Sequence, residues 1–149
     1  MYVKRFRLVA GFANAIVLNL LCFSAFASGD WQSESRAAYL LLVDGASDSA
    51  FERFRTARSM FQGAASNPIA LDLEINMAEA LIRANRLNEA KAILNRLNPL
   101  VLGHFRGTLL EARYWRRCVK FHVAQKSLAE AVEAQKHVLR LVGRNLGDE

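Results

Sequence analysis

From about residue 31 onward, apolar residues recur at intervals of three and four, and no stretch of useful length alternates with period two. That is the pattern of amphipathic helices and not of half-buried strands. Helix breakers divide the pattern into six helices. The first is expected over 32–44, with Ala37, Ala38, Leu41 and Leu42 apolar and a stop at Gly45, a residue that accepts the left-handed cap conformation. The second begins in Ser47-Asp48-Ser49, where Ser49 and Glu52 have capping-box spacing; it carries Ala50, Phe54, Ala57, Phe61 and Ala64 on one stripe and is expected to end at Asn67-Pro68. The third covers 69–84, before a turn at Asn85-Arg86. The fourth covers 87–97 and closes at Asn98-Pro99. The fifth is expected over 100–119, with a start as late as Gly107 also compatible with the pattern. The sixth covers 123–142 and is capped by Gly143. The fold class is all-α.

Within these helices a five-position pattern of small and large residues repeats. Ala78, Leu81, Ala90, Leu94 and Leu97 find counterparts 34 residues later in Ala112, Trp115, Ala124, Leu128 and Ala131, and 40 residues earlier in Ala38, Leu41, Ala50, Phe54 and Ala57. The physical requirement is direct: two antiparallel helices approach closely only where small side chains meet, and large ones fill the grooves beside them. The six extra residues between the first two copies are expected to lengthen the second helix by nearly two turns.

This spacing resembles the tetratricopeptide repeat family, whose unit is a helix-turn-helix of about 34 residues. The small positions of that family fall here on Ala38, Ala50 and Ala57, on Ala78, Ala90 and Leu97, and on Ala112, Ala124 and Ala131. The segment Asn85 to Ala90 carries the best match to its turn. Glu34, Glu74 and Thr108 depart from it where the family prefers an aromatic, as do Val119 at a turn position and the displaced Pro68 and Pro99. A generic helical bundle rich in Ala and Leu is the competing reading. The resemblance implies copies at about 31–68, 69–99 and 100–143, stacked as three antiparallel hairpins in a short right-handed solenoid. It further implies a concave face that holds a peptide or helix of a partner. Carried over by position, that face has Gln32, Ser35, Tyr39 and Leu42 in the first copy. The second supplies Asp72, Ile75, Glu79, Ile82 and Arg83, and the third Arg106, Leu109, Arg113, Arg116 and Arg117.

Composition places this helical unit among packed domains: 149 residues, 52% hydrophobic and 23% charged. The first 27 residues have the parts of an export signal. Lys4, Arg5 and Arg7 precede an apolar stretch over 8–26, and Ala25-Phe26-Ala27 presents small side chains to a peptidase, so cleavage is expected between Ala27 and Ser28. The alternative is an uncleaved inner-membrane anchor over 1–27; Gly11, Asn14 and Asn19 interrupt a run barely long enough to span. Lipidation at Cys22 fits less well, because Asn19 and Leu21 are wrong for a small-residue box. Export places residues 28–149 outside the cytoplasm, in the periplasm if the host is bacterial. Cleavage also halves the formal charge of +6, since three basic residues leave and no acid precedes Asp30. Cys118 would then be the lone thiol, read as a small buried hydrophobe.

What charge remains is polarised. Residues 28–82 carry 4 basic and 8 acidic side chains, and residues 83–149 carry 13 and 6. Guanidinium forks at Arg113, Arg116 and Arg117 suit a carboxylate, including a C-terminus; the bland reading is a solvated face with aliphatic stems over apolar surface. Most aromatics sit at core spacing, with Tyr39 and Phe105 the candidates for groove contact and Trp31 for closing an end. His104, His122 and His137 lack metal-ligand spacing, and no phosphate loop or nucleophile elbow occurs. The expectation is therefore a non-enzymatic adaptor without cofactor or metal. It binds another protein, acidic or presenting a carboxylate, within an envelope or secretion assembly. Nucleic acid is disfavoured by export, and a membrane is a partner only if the signal is retained. A structural subunit that self-associates through its repeat ends is the alternative.

Overall fold

Three turns of one geometry organise the chain. At Gly45, Asn85 and Lys126 the backbone enters the left-handed region, with φ of 82°, 59° and 62°. The next amide reaches back five residues each time: Ala46 N–H donates to Leu41, Arg86 to Leu81 and Ser127 to His122, at 2.9, 2.8 and 2.9 Å. Each is a Schellman closure, which satisfies the last carbonyls of a helix while reversing the chain.

The computed structural model describes residues 30–146, with side chains through residue 143. The expected export signal, with Ala27 and Ser28 at its cleavage point, lies outside the described residues. Six helices and no strand occur among them: α1 (Trp31–Val43), α2 (Ser47–Met60), α3 (Pro68–Arg83), α4 (Leu87–His104), α5 (Leu109–Ala124) and α6 (Leu128–Leu146). None is long and apolar enough to cross a membrane. The turns pair α1 with α2, α3 with α4 and α5 with α6. Successive pairs join by α2 packing on α3 and α4 on α5, and α3 also packs on α5. Ala38, Ala50, Ala57, Ala78 and Ala90 are wholly buried, beside Phe54, Leu81 and Leu97. Alanine sets the close approach and the larger residues fill the space around it.

The remaining helix ends follow from local chemistry. Phe61 leaves helical conformation to set its ring edge-on to Trp31 at 5.4 Å, which ends α2 at Met60. Asn67 accepts from Ile69 N at 2.9 Å, and Pro68 occupies the first helical position, where its missing N–H costs nothing. Asn67-Pro68 thus opens α3 and does not close α2 from inside a longer helix. Thr108 caps α5, accepting from Glu111 N at 3.4 Å, while Glu111 Oε2 takes the Gly107 N–H at 2.7 Å. The expected Ser49–Glu52 box does not form, since the cap position of α2 is Ala46 with no side-chain bond.

Several expected boundaries move. Helix α4 runs through Pro99 to His104. The carbonyl that proline deprives is that of Asn95, which is exposed, whereas Leu97 and Val101 on the opposite side are buried. The lost bond faces water and core burial carries the helix onward. Helix α6 likewise passes through Gly143. The largest correction concerns register. The turn residues are 40 and 41 apart, so the third pair corresponds to the second at 41 and not at 34. Ala131 is the counterpart of Ala90 and Ala50, each donating its N–H to the cap residue four earlier, and Ala124 ends a first helix and does not begin a second. The error of seven residues is nearly two helical turns, over which a small-large pattern superposes on itself. With periods of 40 and 41 the six residues are not an insertion in the first copy, and α2 at 14 residues is shorter than α4 at 18.

Candidate partner-binding groove

The first helices of the three pairs, α1, α3 and α5, present one polar face along a shared groove. Its deeper part is a hollow of about 420 Å³ lined by Tyr39, Leu42 and Val43 from α1, Asn76, Glu79 and Arg83 from α3, and Arg113, Arg116, Arg117 and Lys120 from α5. It meets a second hollow of about 350 Å³ at Tyr39 and Arg113, where Ser35, Asp72 and Leu109 add to the wall.

One buried carboxylate organises the cations. Glu79 accepts from Arg83 Nε at 2.8 Å and from Lys120 Nζ at 2.6 Å, and its other oxygen lies 3.0 Å from Arg117 Nε. The last contact is not aligned as a hydrogen bond, so it acts as an ion pair. Burial pushes the Glu79 carboxyl up, but Lys120, Arg117 and Arg83 together outweigh it and hold the group below its ordinary value. Asp72 pairs with Arg113 Nη1 at 2.8 Å. Asn76 Nδ2 donates to Tyr39 Oη at 2.6 Å, and Arg83 Nη1 to the Leu42 carbonyl at 3.0 Å, so α3 is tied to α1 as well as to α5. Burial raises the Tyr39 phenol, with Asp72 adding to the effect, and Tyr39 stays a neutral phenol that accepts from Asn76. Arg116 is exposed and makes no ion pair or hydrogen bond among the described residues. Five cations therefore face two carboxylates, an excess of positive charge in a partly desolvated trough.

Of the residues assigned from sequence, Tyr39, Leu42, Asp72, Glu79, Arg83, Arg113, Arg116 and Arg117 come together here. Leu109 stands at the far margin as the first residue of α5 and is exposed. Ile75 is wholly buried in the core and Ile82 packs against it, so neither offers groove surface. Arg106 lies before α5, donates Nε to the Leu102 carbonyl at 2.9 Å and borders a different hollow with Trp115 and His137. Phe105 also packs on the core. Asn76 and Lys120 went unassigned. A shift of seven keeps residues on one helix face, which explains why Arg113 and Arg117 survive the register error while Arg106 falls off the helix start and Lys120 is passed over.

No group of three or more His, Cys, Asp or Glu able to hold a metal occurs among the described residues. Cys118 is buried beside Tyr114, and burial pushes its thiol up to about 11; it is a core residue and not a nucleophile at neutral pH.

Helix pairs joined by one repeated turn, each contacting only its neighbours, with their first helices lining a common groove, define a helical-repeat protein. The sequence profile of the tetratricopeptide repeat family matches residues 49–106, which span most of α2 and all of α3 and α4. The chain is thus tetratricopeptide-like over that segment, and segments of this kind generally mediate contact between proteins. No curated protein and no solved structure matches the chain.

Proposed function

We propose that the chain is an exported adaptor built of three tetratricopeptide-like hairpins in a short right-handed solenoid, cleaved between Ala27 and Ser28. Its groove takes an acidic or carboxylate-terminated segment of a partner protein. The observation that carries this reading is the convergence of Arg83, Arg113, Arg116, Arg117 and Lys120 on only two carboxylates. Guanidinium groups already positioned by Glu79 and Asp72 lose little freedom on meeting a ligand carboxylate, and Arg116 stands ready without a partner to give up.

Arg116→Glu tests the groove cleanly, since it breaks no ion pair of the fold. Fluorescence anisotropy with a labelled peptide ending in several acidic residues is expected to show binding that weakens about tenfold or more in the variant and with added salt. Equal affinity in both chains sinks the proposal. Crosslinking pull-down from the native envelope, with and without charge reversal at Arg113, Arg116 and Arg117, then identifies the partner. Sequencing the N-terminus of exported material tests the compartment, which a start at Met1 defeats.

A further inference from the structure

The two hollows of the groove differ in chemistry. The larger carries the cations. The smaller is walled by apolar side chains that three separate helices bring to one place: Trp31 and Tyr39 from α1, Ile69 from α3 and Leu109 from α5, beside the buried Leu73 and Leu110. Ile69, Tyr39 and Leu109 are 39%, 42% and 67% exposed. Single exposed apolar residues are ordinary on a protein surface. Several of them converging on one concavity, next to a few charged groups, is the composition of a ligand pocket. The charged groups nearest this hollow do not favour an anion. Asp72 stands in its wall, with one oxygen 2.8 Å from Arg113 Nη1 and the other 3.4 Å from Asn76 Nδ2, so the charge of Arg113 is neutralised there. The excess of positive charge lies beyond, at Arg116, Arg117 and Lys120.

We infer that the smaller hollow is the specificity pocket of the groove. It receives an apolar side chain, of leucine or phenylalanine size, carried by the same partner segment whose acidic group lies over the cations. This rests on the proposed function and adds that the segment changes character along its length. Helix geometry sets the spacing. Arg116 and Lys120 follow Leu109 by seven and eleven positions on α5, which at about 1.5 Å per residue is roughly 10 to 16 Å along the axis. An extended segment covers that distance in about four residues, a step that also returns its side chains to the same side. A segment acidic throughout sets a carboxylate among apolar walls and against Asp72, where desolvation and like charge both oppose it.

Fluorescence anisotropy of the purified chain with three short labelled peptides tests this. All end in two acidic residues, and they differ at one position about four residues before the end, which is leucine, serine or aspartate. The leucine peptide is expected to bind about fivefold or more tighter than the serine peptide, because its side chain leaves water in the hollow. The aspartate peptide binds no tighter than the serine peptide despite its added charge. Ile69→Asp with Leu109→Asp places acids in the first turns of α3 and α5, where a helix accepts them, and is expected to erase the leucine preference while helical circular dichroism remains. Arg116→Glu weakens the leucine and serine peptides by the same factor and keeps the preference. Three results overturn the inference: equal affinity for leucine and serine, a leucine preference that survives the double aspartate variant, or tightest binding by the aspartate peptide. Failure of the proposed function reads differently, as no binding or as binding indifferent to Arg116→Glu, and it takes this inference with it.

Discussion

Glu79 is the most heavily engaged side chain of the groove, buried and in contact with three cations from two helices. Its folded pKa lies below the ordinary carboxylate value. The ionised form therefore contributes stability above that ordinary value, and the contribution is lost as pH falls through the lowered one. Glu79→Gln is expected to cost about 2 kcal/mol at pH 7, read as a lower midpoint in urea, with the difference from the parent shrinking towards zero as the pH falls through the lowered value. The same change adds a unit of positive charge to the groove, so affinity for an acidic peptide rises while stability falls. A variant that loses both contradicts the groove. That Glu79 and the arginines share a face was legible from helical spacing alone. That Asn76 bridges to Tyr39, and that Ile75 turns into the core, was not, because the sequence does not state where each helix is rotated about its axis.

The turns show what can be read of an element and what cannot. Gly45 and Asn85 announce their left-handed backbone by residue type, and both turns were placed correctly. Lys126 adopts the same conformation with no such signal, and missing it displaced α5 and α6 together. A β-carbon in this region costs about 1 kcal/mol, so Lys126→Gly is expected to raise unfolding stability by about that amount. Chemical denaturation with an unchanged slope is the check, and no gain would mean the lysine is held there by contacts of its own. Pro68 and Pro99 make the complementary point. Proline forbids only one hydrogen bond, and whether a helix ends there depends on which side that bond faces and what is buried opposite.

Across the molecule, stability is expected to fall from the middle outward, because each pair is held only by its neighbours. Eleven of the sixteen residues of α3 are buried, whereas α1 buries only Ala38 and Leu42. Hydrogen exchange followed by mass spectrometry should find amides of α3 slower than those of α1 by roughly tenfold or more; uniform protection would mean a single cooperative block. The all-helical class and the paired organisation were visible as periodicity.

The cluster at Glu79 also links occupancy to protons. A ligand anion competes for the cations that keep this buried carboxylate ionised. An occupant that draws Lys120 and Arg117 away returns Glu79 to its desolvated surroundings, where its proton affinity climbs. The proton affinity of the chain's own carboxylate is thereby coupled to what the groove holds.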